Sequence, residues 1–192
     1  MENVTKLYPL YFLPSVNYMR QVLSKTEVIL SIGERYKKQT PRSRFEIAGP
    51  NNRQLISIPV IHPGNYASVC LVKLDNSENW QLKHWRSIET AYRKAPFFEF
   101  YAHHFEPLFQ KKFSVLAELN LEALHTLFKI LKSDTRVILD MHSIETLNTV
   151  FSEHEEPYFQ VFEKRHGFMP QLSILDLIFN EGPGSLKYLR LD

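Results

Sequence analysis

The chain has 192 residues, 44% of them hydrophobic, enough for one sizeable core and short for two full domains. Its 23 Lys and Arg stand against 21 Asp and Glu, and a net charge of +2 excludes the broad basic surface of a general nucleic-acid or membrane-surface binder. A single cysteine excludes an intrachain disulfide, and no apolar run approaches the roughly 20 residues of a membrane-spanning helix. The expectation is one soluble, cytoplasmic domain over residues 1–192.

The chain opens with an apolar run, Leu7 to Leu13, that reads as a strand. Pro14 then suits a first helical turn, where its missing N–H is harmless, and a helix follows through Tyr18 and Val22. EVILSI (Glu27 to Ile32) is a second strand, so the order is that of a βαβ unit. FEI and LISIPVI flank the turn residues AGPNNRQ as a hairpin would. After a second turn at HPGN, the alternation in YASVCLVKLD predicts a third strand, making residues 45–74 a small antiparallel meander. Cys70 lies within that alternation without a CxxC or family signature, and reads as buried filler rather than a catalytic thiol.

The middle of the chain changes to helical periodicity. From Glu78 to Ala95, Trp80, His84, Ile88, Ala91 and Ala95 recur at three or four residues, with Trp85 and Tyr92 on an adjoining stripe. Pro96 separates this helix from one carrying Phe98, Tyr101, Phe105, Leu108 and Phe109, and a third runs from about Val115 to Leu131. RVILDM (Arg136 to Met141) predicts a short buried strand. A polar stretch from Thr146 to Pro170 includes Gly167 as a helix stop, and SILDLIFN predicts a last helix capped by Ser173. The fold class is α/β: a βαβ-like start and a small mixed sheet, with a Rossmann-like sheet as one version, packed by a helical central region.

The most concentrated chemistry is ERYKKQTPRSR, Glu34 to Arg44, where Arg35, Lys37, Lys38, Arg42 and Arg44 sit beside one carboxylate between two predicted strands. Charge runs are usually solvated faces, but loops at strand ends are where α/β proteins hold ligands. Arg42 and Arg44 are the candidates for paired donation to a phosphate, with Lys38 as a point charge and Gln39 as an amide donor. If extended, the i, i+2 spacing puts both arginines on one face; alternatively Glu34 ties one of them down in a structural ion pair. Arg35 and Lys37 are left to solvent.

His84 is the candidate proton-transfer residue because imidazole titrates near neutrality, set against the ordinary reading of a histidine satisfied within the core. Trp80 and Tyr92 are candidate stacking walls for a sugar or base, set against plain core packing. His103, His104 and Glu106 lack metal-ligand spacing, so no metal is assigned. Asp140 and His142 lie where a strand end could meet a site. No GxSxG, P-loop or GxGxxG is present.

Several segments together resemble the WbqC-like family, which is associated with bacterial surface-polysaccharide and O-antigen gene clusters. They are YFLPSVNY (Tyr11 to Tyr18), EVILSIGERYKKQTPRSRFEI, LISIPV, NWQLKHWRSIETAYRKAPFFEFY (Asn79 to Tyr101) and LSILDLIFNEGP (Leu172 to Pro183), covering nearly the whole chain. Asn17 departs from the family's Gly-Tyr opening and Ser43 from its Asn-Arg pair; Asn at 17 would preserve a positive φ if the turn needs one.

The resemblance implies a cytoplasmic transferase that moves a small acyl or aminoacyl group onto a sugar precursor, with a phosphorylated or nucleotide-linked ligand. It implies no particular cofactor. The alternative is a non-catalytic binding or scaffold protein of a glycan-synthesis complex. A fainter analogy, to Rossmann-like adenylyl transferases, lacks their paired histidines in YFLPSVNY.

Overall fold

The computed structural model describes residues 7–62, 64, 67–142 and 155–189. Pro63 and Asn65 of the expected HPGN turn, and residues 146–154 of the polar stretch, lie outside them. Strand β1 (Leu7–Pro9), helix α1 (Val16–Leu23) and strand β2 (Glu27–Ser31) form the expected βαβ unit, with β1 and β2 parallel and Leu7 opposite Ile29. A later strand, Arg136–Asp140, pairs in parallel along the other edge of β2, Glu27 opposite Arg136 and Ser31 opposite Asp140. β2 is therefore the centre of this three-stranded sheet. Its Val28 and Leu30 are buried, as the EVILSI pattern requires.

The chain leaves β2 in close contact with the end of that third strand. Ile32 and Gly33 both donate their N–H to the Asp140 carbonyl, at 2.9 and 3.1 Å. A Cβ on Gly33 would stand 2.1 Å from the Met141 carbonyl oxygen, so the position admits only glycine.

Strands β3 (Arg44–Ala48) and β4 (Arg53–Ser57) form an antiparallel hairpin around the Gly49–Asn52 turn, separate from the parallel sheet. Among the described residues the α/β fold thus divides its parallel and antiparallel strands between two small sheets. The reason lies in how β3 uses its backbone: Ser173 N–H donates to Glu46 O at 2.8 Å, and Ala48 N–H donates to the Tyr92 hydroxyl at 3.1 Å. Helical residues take the bonds a further strand would have taken.

The predicted third strand of the meander is a short 3₁₀ turn, Val69–Leu71. Its segment distributes its amides over several neighbours: Val69 N–H to Glu34 O, Cys70 N–H to Ile32 O, and Leu74 N–H to Ser114 O. Val69 and Val72 are buried while Cys70 is only partly so, because the backbone turns where a strand would continue.

Three longer helices follow, α2 (Trp80–Tyr92), α3 (Phe98–Gln110) and α4 (Leu116–Ile130). Asn79 caps α2 by accepting from Leu82 N–H. The Arg136–Asp140 strand, β5, is partly exposed along its length and not the buried strand expected from RVILDM, because it lies at the sheet's edge among the described residues. Helix α5 (Glu163–His166) stops at Gly167, whose φ of 72° and N–H bond to Glu163 O match the predicted terminus. Helix α6 (Ile174–Glu181) is buried from Ile174 through Asn180, and its Phe179 ring lies 5.0–5.5 Å from the rings of Tyr92, Phe98 and Phe105. Helix α7 (Ser185–Leu189) packs on α1. One connected apolar core runs from Tyr8 to Leu189, and no helix among the described residues is long and apolar enough to cross a membrane.

Pro14 does not occupy the first turn of α1: Ser15 is the N-cap and the helix begins at Val16. Nor is Asn17 a turn residue; it is helical and buried. The left-handed backbone in this opening belongs to Leu13, with φ 42°. Its completely buried side chain anchors that conformation in the core.

Candidate functional site

The basic run crosses the carboxyl end of the parallel sheet, and its two arginines separate there. Residues 41–43 form a turn rather than an extended segment, so the expectation that Arg42 and Arg44 share a face fails. Arg42 points inward. Its Nε and Nη2 both bond Glu34 Oε1, at 2.9 and 2.6 Å, and the two side chains are 2% and 0% exposed. Nη1 adds a 3.3 Å bond to Thr40, and the guanidinium lies 5.5 Å from the centre of the Tyr11 ring. Buried Asn120 of α4 donates to both Arg42 O and Leu10 O, while Phe12 N–H donates to Pro41 O. Arg42 is a strut of the loop, enclosed where a ligand would need it open.

Arg44 points the other way, into a cleft of about 500 Å³. Tyr11, Leu13, Ser15, Gln39, Thr40, Arg44, Glu46, Leu55, Gln171 and Ser173 line it, with Pro14, Pro41 and Phe45. Arg44 and Glu46 share it because alternate residues of β3 face one side. Glu46 is bonded to Arg53 at 3.0 Å, whereas Arg44 has no carboxylate partner among the described residues. Arg44 is therefore the cationic group of the cleft that a carboxylate among the described residues does not hold, while the Glu46 charge is matched by Arg53.

Its walls hold unusual backbone. Leu13, Gln39 and Gln171 line it at φ 42°, 60° and 62°, three of the four non-glycine residues with positive φ among those described. Such conformations cost about 1–3 kcal/mol each and persist where surrounding structure enforces them. The N-termini of α1 and α6 both reach the cleft, yet their end groups serve each other. Val16 N–H donates to Leu172 O, Ile174 N–H to Pro14 O, and Ser173 Oγ to Leu13 O. Ser173 Oγ also accepts from Leu175 N–H, the cap expected from the sequence. What remains for an anion is the Arg44 guanidinium and the Gln39 amide, within the positive potential of two helix starts.

The other sequence candidates lie elsewhere. Lys38 is exposed and does not line the cleft. Trp80 is buried, with Nε1 bonded to Asn76. Tyr92 is fully buried with its hydroxyl on Ala48 N–H, leaving no face for a sugar. His84 is half-buried against Trp80 and also absent from the cleft; burial first, and Lys83 second, push its pKa down to about 4. The arrangement that would put Arg42, Arg44 and His84 in one cleft does not occur. Asp140 accepts from His142 N–H, closing a turn, and no group of three or more acidic, His or Cys side chains among the described residues is placed to hold a metal.

Glu46, Tyr11, Gln171 and Ser173 were not among the sequence candidates. Only Glu46 carried a readable signal, being two residues from Arg44 in the strand-like RFEI.

Residues 10–149 match the WbqC-like protein family. The chain belongs to it. A Mycobacterium tuberculosis protein named Uncharacterized protein Rv1507c is 24% identical over an alignment covering 93% of this chain and 94% of its own length. No solved structure matches the chain significantly.

In this WbqC-like chain the far wall of the cleft is held by a buried polar cluster. Glu155 Oε2 accepts from Gln171 N–H, and Gln160 bonds both Met169 backbone groups and Asp176 Oδ2. Asn180 Nδ2 donates to Asp176 O. Burial raises the Asp176 carboxyl to about 6, while Tyr158, Tyr92 and Gln160 partly offset the rise. Burial likewise raises Glu155, against the Gln171 bond.

Two outcomes follow from these contacts. Arg42→Ala or Glu34→Ala, each removing one half of a buried ion pair, should lower unfolding free energy by about 3–5 kcal/mol in urea denaturation, and a paired apolar replacement should recover much of it. Because Asp176 has a folded pKa above its ordinary value of 3.8, its contribution to stability is complete below about 3.8 and is lost as pH rises through about 6. Asp176→Asn should flatten that part of the stability profile, a change on the order of 1–3 kcal/mol between its ends, read by urea midpoints across the window.

Proposed function

We propose that this single-domain chain is a cytoplasmic transferase of surface-glycan assembly, binding a phosphorylated or nucleotide-linked donor at Arg44 and moving a small acyl or aminoacyl group onto a sugar. The observation that carries the reading is a guanidinium without a carboxylate partner among the described residues, in a cleft at the carboxyl end of a parallel sheet, where α/β proteins hold ligands. Family membership supports it as well.

Arg44 would take the phosphate of the donor, and Gln39 and Tyr11 would supply directional hydrogen bonds. Tyr11 is suited to donating rather than to acting as a base, because burial raises its hydroxyl pKa, with Glu34 adding to the rise and Arg42 opposing it. Glu46 replaces His84 as the proton acceptor in this reading. It takes the hydrogen of the sugar hydroxyl or amine as that group's oxygen or nitrogen bonds the acyl carbon, and the bond to the phosphate-bearing leaving group breaks.

The scaffold reading keeps one specific point in its favour: Glu46 is already engaged by Arg53. Thermal shift with a panel of nucleotide sugars and phosphate-activated acyl donors tests the site. Wild type should gain several degrees with the right ligand and Arg44→Ala should gain none, with little change in its unliganded Tm. A shift equal in both proteins removes Arg44 from the site. With a binding ligand in hand, Glu46→Gln should keep binding and lose turnover by about 100-fold or more; binding without turnover in wild type favours the scaffold.

A further inference from the structure

A second cationic groove lies on the helical side of the molecule. On α3, His103, His104 and Pro107 face it, followed by Lys111 after the helix end. On α4, Glu122, His125, Thr126 and Lys129 face it at i, i+3, i+4 and i+7, one stripe of a helix. The groove has a volume of about 400 Å³. Two permanent cations and three imidazoles thus converge on a space with one carboxylate, and no ion pair joins any of them among the described residues.

The arrangement favours an anionic occupant. The rings of His103 and His104 are 4.0 Å apart, so protonating both is costly unless negative charge lies beside them. Lys111 Nζ sits 4.7 Å from the centre of the Phe113 ring, held over an apolar base rather than by a carboxylate. Burial, then His103, then Lys129 lower the His104 pKa, the direction expected of an imidazole facing unneutralised cations. Glu106 and Glu118 on the same helices do not line the groove.

We propose that the groove between α3 and α4 is a second ligand site, for a free, compact oligophosphate, with Lys111 and Lys129 as its fixed charges and the His103, His104 and His125 imidazoles as further hydrogen-bond donors. A ligand with several closely spaced anionic oxygens fits, because the two lysines and three imidazoles approach the groove from two different helices. Burial and neighbouring cations disfavour the charged form of His104, and an anion in the groove favours it, so affinity rises as pH falls. Arg44 and the cleft around β3 take no part, and the proposal is independent of the transferase reading.

Isothermal titration calorimetry with inorganic pyrophosphate and tripolyphosphate tests it, on the Arg44→Ala chain so that the first cleft does not contribute. Tripolyphosphate should bind several-fold more tightly at about pH 6 than at about pH 7.5, and more tightly than sulfate at equal ionic strength. The Lys111→Gln, Lys129→Gln double variant should weaken it by roughly tenfold or more. These side chains are exposed, so unchanged circular dichroism and Tm should accompany the loss. On addition of tripolyphosphate, the His104 ring resonances should titrate at higher pH in NMR. Absence of binding at either pH, equal competition by sulfate, or undiminished affinity in the double variant overturns the site. Binding to vesicles carrying phosphorylated inositol lipids without binding free tripolyphosphate overturns the free-ligand assignment.

Discussion

The buried ion pair between Glu34 and Arg42 is the constraint on which the candidate cleft depends. Glu34 lies just past β2, the centre of the parallel sheet, so Arg42 is fixed relative to the strand that pairs on both edges. The turn at 41–43 then delivers Arg44 into β3 on the opposite side, and Asn120 and Phe12 fasten the same turn to α4 and to the exit of β1. Two charges removed from water are costly, and their mutual attraction offsets this only with close geometry. The gain here is directional: one arginine is held inward so that the next faces out.

The opposite wall of the cleft is set by different means. There the polar side chains of Glu155, Gln160 and Asp176 grip the backbone around Met169 and Gln171. One wall thus rests on a charge pair and the other on a hydrogen-bonded cluster whose carboxyls are pushed toward their neutral forms. Left-handed residues occur in both, at Gln39 and Gln171, so the cleft is shaped before any ligand arrives.

Much of this was legible in the sequence where local pattern and tertiary structure agree. EVILSI reads as a strand because its apolar run is continuous; Glu78 to Ala95 reads as a helix because its apolar residues keep the helical period; Ser173 announces a helix start by its hydroxyl and Gly167 a helix end by its backbone freedom. The failures come from contacts between distant residues. YASVCLVKLD alternates like a strand, but its amides find partners at Glu34, Ile32 and Ser114 and the backbone turns. Arg42 and Arg44 are indistinguishable by type, and only the turn between them decides which is buried. Tyr92 sits on a stripe suited to a stacking wall, yet the amide of Ala48 claims its hydroxyl. His84 has the right chemistry on a helix that does not reach the cleft.

The mutual capping of α1 and α6 has a consequence for the order of assembly. Ser173 and Leu13 are 160 residues apart in sequence, yet each end of the cleft's floor is completed by the other. A contact of such long range carries a large loop-closure cost and favours late formation on the folding pathway. The stretch matched to the family ends at residue 149, before Gln171 and Ser173. A nascent chain that has already formed its parallel sheet and basic loop still lacks the Gln171 and Ser173 wall of the cleft, which is in place only once α6 has docked against α1.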